Sequence, residues 1–430
     1  MRKILLPFLL LPLAVLSLSA QSLSLRPEEY LGEYSQYEGN IPSPTRPPKG
    51  FKPFYISHIG RHGSRFAVGT EIYEEMRAVL SDAARDGKLT PEGERLRDKY
   101  EAFYPYVAYR GGDLTRKGQE QHRMIAQRMV RDYPEVFRGK TSATVRSTPV
   151  PRVILSMFAF LDRMKEMDPD IRYDADAGYV HVTVLDPMDE TNPAYVPNKP
   201  MSPEAKASHA AYFHAMVDLD GLTDRFFTDR EYLERRYGRW HFFEYLKKIV
   251  IDIPSLDEVP PEAMTGVFSD RELQNLYRHR NYYLYLKYGP SPLTDRKYMY
   301  ETWSTLEDLI LSAERDIAEG TALNLRFSHD SCLLPLFSLM GLNGFGIVTT
   351  DPEEANANWK GYDVPMAANL QLVFYRNRMG EILVKPMLNG HDATLPFPPA
   401  DGPFYRWTDF QAFYLPVIAE SKRFIAQYAE

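Results

Sequence analysis

Alternating strand-like and helix-like segments over residues 53–165 constrain the fold of this chain more than any other feature. In chain order, the predicted elements are a strand over 53–60, helices over 70–87, from Thr90 and over 115–131, a strand over 143–147 and a helix over 151–165. Neighbouring parallel strands need long crossover connections, which are usually helices. The alternation therefore predicts an α/β fold with a mainly parallel, helix-flanked sheet.

Residues 166–320 lack this alternation, and their apolar spacing is mainly helical. Besides a possible strand over 180–185, this segment has predicted helices over 203–217, 228–249, 270–288 and 301–319. Strand patterns return over 323–327, 367–375 and 381–387, and helices are predicted over 333–342 and 407–427. We interpret 51–165 and 321–430 as the α/β core and 166–320 as an inserted, mostly helical cap domain.

The amino terminus has the pattern of a secretory signal peptide over residues 1–20. Arg2 and Lys3 precede an apolar stretch that ends in small residues at Ala20. The stretch is short and interrupted by prolines, which is atypical of a membrane anchor. We predict export to the periplasm or the cell exterior, with no membrane span after signal removal. Residues 21–50, which are polar and rich in proline and glycine, are predicted to form an extended N-terminal segment.

The charge balance and the cysteine content narrow the possible partners and the possible covalent bonds. The chain has 51 basic and 58 acidic residues and a net charge of −7. An acidic surface argues against non-specific binding to nucleic acid. The single cysteine, Cys332, cannot form an internal disulfide, so the stability of the fold must come from packing.

Two polar turns follow predicted strands that lie far apart in the chain. One is Arg-His-Gly-Ser-Arg over residues 61–65, and the other is Ser-His-Asp over residues 328–330. The carboxyl ends of parallel strands lie along one edge of an open sheet, where ligands commonly bind. We therefore expect both turns to contribute to one site.

The residue types in these turns suit chemistry on a phosphoryl group. Arg61 and Arg65 can bind phosphoryl oxygens in a bidentate manner. An imidazole nitrogen of His62 can attack phosphorus and form a covalent intermediate. Asp330 can protonate the leaving alkoxide, and His329 can help to hold the phosphoryl oxygens.

In their order along the chain, these turns resemble the histidine phosphatase superfamily, in its acid phosphatase and phytase branch. The other matching segments are Leu114-Thr115…Gly118, Arg146-Ser147-Thr148…Arg152 and Leu339-Met340-Gly341-Leu342. The resemblance covers most of the mature chain. It implies an α/β core with an inserted helical cap, and a reaction that uses no metal or other cofactor.

The resemblance also implies a role for each matching residue. His62 would be the nucleophile and Asp330 the proton donor. The residues that would bind the substrate phosphate are Arg61, Arg65, Arg152 and His329. Arg146 is the near alternative to Arg152 as the third arginine.

The residues after the first turn depart from the commoner pattern of the branch. Phe66 and Ala67 follow Arg65, whereas many members have a proline soon after this arginine. In this respect the chain looks more like the multiple inositol polyphosphate phosphatases. Those enzymes typically have His-Ala-Glu where this chain has His329 and Asp330.

Three other residue groups offer competing sites. His391 and Asp392 form a second His-Asp pair after a strand, but a proline-rich segment follows them instead of an apolar helix. His58 and His62 have the spacing of a zinc-binding helix, but their segment has the pattern of a strand. No arginine follows Cys332 closely enough to hold a phosphate, so this residue is predicted to be a small core residue.

The sequence thus predicts an exported phosphomonoester hydrolase that acts through phosphohistidine on a small-molecule substrate. Inositol polyphosphates such as phytate are the favoured substrates. Two other functions are compatible with the residues. One is a non-catalytic phosphate- or inositol-phosphate-binding protein on the same scaffold, and the other is a broad-specificity acid phosphatase or phosphotransferase. Neither a metal nor a nucleic acid is expected as a partner, and no feature indicates an oligomeric state.

Overall fold

The computed structural model describes residues 30–37, 39–69, 71–139, 141–192, 201–294 and 297–427. The predicted signal peptide, 1–20, and the first part of the predicted extended segment, 21–29, lie outside these residues. Among the described helices, none combines the length and the apolarity that crossing a membrane requires.

The strands of the described ranges form one eight-stranded sheet. They are β1 Lys52–Arg61, β2 Ser142–Ser147, β3 Arg172–Ala177, β4 Leu323–Ser328, β5 Asn369–Arg376, β6 Ile382–Leu388, β7 His391–Asp392 and β8 Tyr405–Arg406. Their spatial order is β3-β2-β4-β1-β5-β6-β7, and β8 pairs with β6. The neighbours from β3 to β1 are parallel, whereas every pairing that involves β5 to β8 is antiparallel. The predicted α/β fold is confirmed, and its parallel half contains both strands that end in the polar turns.

Helices cover both faces of this sheet. In the described ranges the α-helices are α1 Glu71–Arg85, α2 Pro91–Val107, α3 Arg116–Asp132, α4 Pro151–Met167, α5 Val182–Leu185, α6 Pro203–Met216, α7 Leu219–Phe226, α8 Arg230–Arg236, α9 Arg239–Asp252, α10 Asp270–Tyr288, α11 Lys297–Glu301, α12 Trp303–Glu319, α13 Asp330–Met340, α14 Pro352–Asn358 and α15 Trp407–Ala426. Ile56 of β1 packs in a cluster with side chains of α3 and α4. Tyr55 and Ile59 belong to the cluster on the other face, with side chains of α12, α13 and α15. Burial of β1 on both faces explains why its sequence is apolar over most of its length.

One predicted strand is wrong, and three observed strands, β3, β7 and β8, were not predicted. Residues 180–185 contribute to a 3-10 helix, Tyr179–His181, and to α5 instead of forming a strand. Strand β3 pairs with β2 at the edge of the sheet, and most of its side chains are exposed. The pairing of an edge strand rests on backbone hydrogen bonds, so it needs no apolar alternation that a sequence pattern could reveal.

The helical region also differs from the prediction in detail. The helix expected over 228–249 is divided into α8 and α9 at Gly238, whose φ of +79° is incompatible with a continuous helix. Strand β3 lies within 166–320 and yet joins the sheet. Helices α1 and α2 share one hydrophobic cluster with α7 and α9. The division into a core and an inserted cap remains a prediction.

Candidate active site

The two polar turns lie side by side at the carboxyl edge of the parallel strands. Strands β1 and β4 are neighbours, and Arg61 is in register with Ser328. The backbone N–H of His62 donates to the carbonyl oxygen of Ser328 at 3.0 Å. The side chains of residues 61–65 and of His329 and Asp330 therefore meet at one edge, as the strand pattern predicted.

The backbone of the first turn is fixed by the start of helix α3. The Thr115 hydroxyl donates to the carbonyl oxygen of Ser64 at 3.0 Å and accepts from the N–H of Gly118 at 3.1 Å. A Cβ on Gly118 would lie 2.2 Å from the Ser64 oxygen, and a Cβ on Gly63 would lie 2.3 Å from the Gly118 oxygen. Only two glycines allow this close approach, which accounts for the Leu114-Thr115…Gly118 pattern.

His62 is buried and held in one tautomer. Its Nδ1 lies 2.9 Å from the carbonyl oxygen of Gly63, which can only accept a hydrogen bond. Nδ1 must therefore carry the proton, and Nε2 keeps its lone pair. Burial, and then the charges of Arg152 and Arg61, hold the pKa of His62 well below its usual range. A neutral imidazole with a free Nε2 lone pair is suited to nucleophilic attack.

Arg61 and Arg65 are both held from behind by partners outside the turn. Arg61 is fully buried, and its Nη1 donates to the carbonyl oxygens of Glu33 and, at 2.9 Å, of Val364. The guanidinium of Arg65 lies 5.2 Å from the centre of the Tyr34 ring. Its Nη1 donates to the carbonyl oxygen of Phe66 at 3.1 Å. These contacts fix two positive charges beside His62.

Arg152 and Arg146, the two candidates for the third phosphate-binding arginine, lie in different surroundings. Arg152, in the first turn of α4, is close enough to the cluster that its charge acts on His62, His329 and Arg65. Burial, and then repulsion by Arg65, lowers the pKa of Arg152 to about 10. Arg146 instead pairs with Asp174 across the β2–β3 edge, with Nη2 2.6 Å from Oδ2. The geometry therefore brings Arg152, and not Arg146, together with the turns.

His329 faces His62 from the second turn. The ring centroids are 5.7 Å apart, and the rings are inclined at 69°. Nε2 of His329 lies 3.0 Å from the Thr148 hydroxyl, which fixes the orientation of the ring. Burial, and then the charge of Arg152, lowers the pKa of His329. This ring is thus neutral near neutral pH, and it can contribute to the site by hydrogen bonding.

Asp330 is the first residue of α13 and lies against Arg61. Its Oδ2 is 3.4 Å from Nη2 of Arg61. Burial by itself would raise the pKa of Asp330, but the charges of Arg61 and Arg65 outweigh it and lower the pKa. A carboxylate at a helix amino terminus is also stabilised by the helix dipole. In the absence of an anionic ligand, Asp330 is therefore ionised.

Three acidic residues near the turns were not found from the sequence. Glu33 pairs with Arg280 through Oε1 at 3.0 Å, while its backbone oxygen accepts from Arg61. Asp252 is fully buried, with Oδ1 3.9 Å from Nη1 of Arg65. Asp186 lies beside the second turn. None of the three belongs to a motif, because long-range packing brings each one to the site.

The carboxyl group of Asp186 contacts both neighbours of Asp330. Its Oδ1 accepts from the Ser331 hydroxyl at 3.2 Å, and its Oδ2 lies 3.9 Å from Nε2 of His329. Burial, and then repulsion by Asp189, raises the pKa of Asp186 to about 7. The site therefore contains two carboxyl groups whose pKa values are shifted in opposite directions.

The competing residue groups lie in other surroundings. His391 is exposed on β7, and Asp392 pairs with Nζ of Lys385 at 3.0 Å. His58 is buried on β1 between the rings of Phe160 and Phe327. In the described part of the chain, no group of three or more His, Cys, Asp or Glu side chains is arranged to hold a metal ion.

The only thiol of the chain, that of Cys332, is buried in the core. Cys332 is fully buried, and its sulfur lies 3.7 Å from the Thr305 hydroxyl. Burial, and then the charge of Asp186, raises the pKa of the thiol to about 12. A thiol that keeps its proton is a poor nucleophile, so Cys332 fills space in the core.

Solved structures of phosphate-ester hydrolases share this fold. The multiple inositol polyphosphate phosphatase of Bifidobacterium longum, in complex with inositol hexasulfate, has a TM-score of 0.71 at 17% identity, covering 89% of this chain and 97% of that chain. The phytase of D. castellii has a TM-score of 0.62 at 16% identity, covering 91% and 85%. The apo phytase of Hafnia alvei has a TM-score of 0.54 at 13% identity, covering 87% and 98%.

At these identities the structural likeness shows the fold alone. No curated protein sequence matches this chain. A sequence model of the family described as Histidine phosphatase superfamily (branch 2) matches residues 56–389, and this range includes both polar turns. Since the match spans most of the chain, the protein belongs to the histidine phosphatase superfamily, branch 2, and is a histidine-type phosphatase.

Proposed function

We propose that the protein hydrolyses phosphomonoesters through a phosphohistidine at His62, and that its substrates are inositol polyphosphates such as phytate. The observation that carries the proposal is the state of His62. Its imidazole is neutral, its Nδ1 is tied to the Gly63 carbonyl oxygen, and Arg61, Arg65 and Arg152 surround it. A neutral nucleophile among fixed cations is what attack on a phosphate dianion needs.

In the first step, Nε2 of His62 forms a bond to phosphorus as the bond from phosphorus to the leaving oxygen breaks. The three arginines bind the phosphoryl oxygens and stabilise their charge in the transition state. The carboxyl proton of Asp330 passes to the leaving oxygen, so an alcohol departs. His329, oriented by Thr148, donates a hydrogen bond to a phosphoryl oxygen.

Substrate binding allows Asp330 to take from solvent the proton that this step needs. The charges of Arg61 and Arg65 lower the pKa of Asp330 in the empty site. A bound phosphate dianion offsets these charges and adds a negative charge of its own, and both effects raise the pKa of a nearby carboxyl group. Asp330 can therefore take up a proton when the substrate binds.

In the second step, water attacks phosphorus and the phosphorus–nitrogen bond breaks. The electron pair of that bond returns to Nε2 of His62, and the Asp330 carboxylate takes a proton from the attacking water. Inorganic phosphate then leaves, Asp330 returns that proton to solvent in the empty site, and binding of the next substrate raises its pKa again. An alcohol in place of water would make the reaction a phosphotransfer.

Two observations favour inositol polyphosphates over simple esters. Phe66 and Ala67 after the first turn resemble the multiple inositol polyphosphate phosphatases more than the commoner acid phosphatases. The similar solved structures are a multiple inositol polyphosphate phosphatase, whose complex contains inositol hexasulfate, and phytases.

The signal-like pattern of residues 1–20 supports export of the enzyme.

The test is phosphate release from phytate, a sugar phosphate and an aryl phosphate, from about pH 3 to about pH 8, with and without chelator. We expect release that chelator does not affect, with the highest kcat/KM for phytate. Binding of phytate without release of phosphate would indicate the non-catalytic function. Equal kcat/KM for all three substrates would indicate a broad-specificity phosphatase, and phosphate transfer to an added alcohol would indicate a phosphotransferase.

A further inference from the structure

Residues 33–36 of the N-terminal segment lie behind the first polar turn, and we call them the strap. Most of their side chains are buried. Ser35 fixes the strap to the rest of the molecule, because its carbonyl oxygen accepts from the N–H of Met366 at 2.9 Å. The Ser35 hydroxyl donates to the carbonyl oxygen of Tyr362 at 3.2 Å. This part of the predicted extended segment is therefore packed into the molecule.

The strap supports both arginines of the first turn with uncharged groups. The backbone oxygen of Glu33 accepts from Nη1 of Arg61, and Oε1 of Glu33 pairs with Arg280 instead. The ring of Tyr34 lies 5.2 Å from the guanidinium of Arg65. A carbonyl oxygen and an aromatic ring orient a guanidinium group without cancelling its charge. The strap therefore fixes both arginines and leaves their charge for a phosphate.

Gln36 is the centre of a hydrogen-bond network that reaches Ser64, which stands between His62 and Arg65 in the turn. Oε1 of Gln36 accepts from the Ser64 hydroxyl at 2.7 Å and from Nε2 of Gln121, on α3, at 3.2 Å. Oε1 of Gln121 accepts from the N–H of Ser64 at 2.8 Å. Ser64 is fully buried, so the two amide side chains fix both its hydroxyl and its backbone.

The amide nitrogen of Gln36 links the same network to the helical region. It donates to the Ser255 hydroxyl at 3.1 Å and to a backbone oxygen of the strap at 2.9 Å. Ser255 ends the 3-10 helix Ile253–Ser255, which directly follows α9. The last residue of α9 is Asp252, the buried acid that lies 3.9 Å from Arg65. Gln36 thus uses all four hydrogen-bonding positions of its amide to join the turn to the segment behind Arg65.

We propose that Gln36 is a positioning residue that holds the first turn in a fixed place relative to the helical region. It acts through Ser64, whose position sets those of the His62 imidazole and the Arg65 guanidinium. Attack on phosphorus needs a closely aligned nucleophile, and a small displacement reduces the rate strongly. The inference rests on the proposed function, because it presumes that His62 is the nucleophile.

Hydrolysis of an aryl phosphate by variants that lack one of these hydrogen bonds tests the role of Gln36. Gln36→Met keeps the length of the side chain and removes its hydrogen bonds. The other variants are Ser64→Ala, Ser255→Ala and the two double variants that combine each of them with Gln36→Met. Asn324→Leu is the matched control, because Asn324 is also an amide in a buried network, with Nδ2 2.7 Å from Asp316, but stands near the start of β4.

For each variant, kcat, KM and the inhibition constant of inorganic phosphate are measured, and thermal unfolding shows whether it is folded. We expect Gln36→Met to lower kcat about tenfold and to change KM and the inhibition constant by less than about threefold. Phosphate binding should persist because Arg61 keeps its bond to Val364 and Arg152 stands on α4.

The double variants show whether Gln36 acts through its network. Ser64→Ala should also lower kcat about tenfold, and Ser255→Ala about threefold. Each double variant should be no slower than the slower of its two single variants, because both changes interrupt the same contacts. Asn324→Leu should keep kcat within about twofold of the wild-type value.

An unchanged kcat in Gln36→Met would overturn the inference. So would losses that multiply in the double variant with Ser64→Ala, or an equal loss of kcat in Asn324→Leu, since a general loss of stability would then explain the effect. Wild-type hydrolysis by His62→Ala would overturn the proposed function and this inference with it. An inactive His62→Ala together with a fully active Gln36→Met would overturn this inference alone.

Discussion

Arg61 and Asp330 face each other at 3.4 Å, although they come from turns that are far apart in the chain. This contact joins the phosphate-binding cations to the proposed proton donor. Without a ligand, Arg61 keeps Asp330 ionised. A phosphate dianion would compete with Asp330 for the same guanidinium, so binding of the substrate and protonation of the acid are coupled.

Replacing His62 by alanine should abolish phosphate release, because it removes the neutral Nε2 lone pair that the Gly63 carbonyl oxygen orients among the arginines. We expect kcat to fall by at least about 10³-fold. The measurement is initial-rate hydrolysis, together with rapid-quench detection of acid-labile phosphoenzyme. His391→Ala is the control, since His391 is exposed on β7 and should be dispensable. If His62→Ala hydrolysed the substrate at the wild-type rate, His62 would not be the nucleophile.

Asp330→Asn should slow esters with poor leaving groups far more than esters with good ones. An alkoxide cannot leave readily without a proton, whereas an aryl oxide can. We expect a loss of about 10² to 10⁴ in kcat for an alkyl phosphate and a much smaller loss for a nitrophenyl phosphate. A series of leaving groups measures the dependence directly. If all esters slow by the same factor, Asp330 is not the acid.

The two candidate third arginines should differ strongly in their effect on catalysis. Arg152→Ala removes a charge that acts on His62 and His329, so kcat/KM should fall by about 10²-fold or more. Arg146→Ala breaks an ion pair with Asp174, whose side chain is mostly exposed, and should leave kcat/KM almost unchanged. Measured kcat/KM values for both variants test this directly. A larger loss in Arg146→Ala would reverse the assignment.

The carboxyl group of Asp186 should make the protein less stable as the pH rises. Its pKa is about 7 in the folded state, above the ordinary value of about 3.9. Between these two values the folded state binds more protons than the unfolded state, so the free energy of unfolding falls with rising pH. The total loss is on the order of a few kcal/mol.

Asp186→Asn should therefore flatten the pH dependence of stability. Urea unfolding at about pH 4.5 and about pH 8 measures the difference for each protein. Asp170→Asn is the control, because Asp170 lies on an exposed turn. An unchanged difference in Asp186→Asn would show that Asp186 is ionised in the folded protein at both pH values.

The parts of the fold that could be predicted are those that local patterns encode. Strand β1 is apolar on both faces and ends in charged residues, so both its existence and its end are visible in the sequence. Strand β3 is polar and exposed, and only its backbone pairing with β2 makes it a strand. Residues 180–185 have an apolar, β-branched composition typical of a strand, but they pack as short helices.

The residues of the candidate site also fall into those that the sequence could predict and those that it could not. His62 and His329 stand in turns that a strand-to-helix junction marks, so their convergence could be predicted from topology. No sequence motif identifies the three acidic residues Asp186, Asp252 and Glu33, because their positions depend on contacts between segments far apart in the sequence. A pattern that spans a few residues cannot encode such contacts.

The sequence by itself determined the α/β class and the two polar turns, since strand and helix periodicity and turn chemistry are local properties. The tertiary structure alone decided which nitrogen of His62 keeps its lone pair, which arginine joins the cluster and which carboxyl groups are ionised. Each of these depends on burial and on charges brought together from distant segments. The Arg61–Asp330 contact is a product of that assembly.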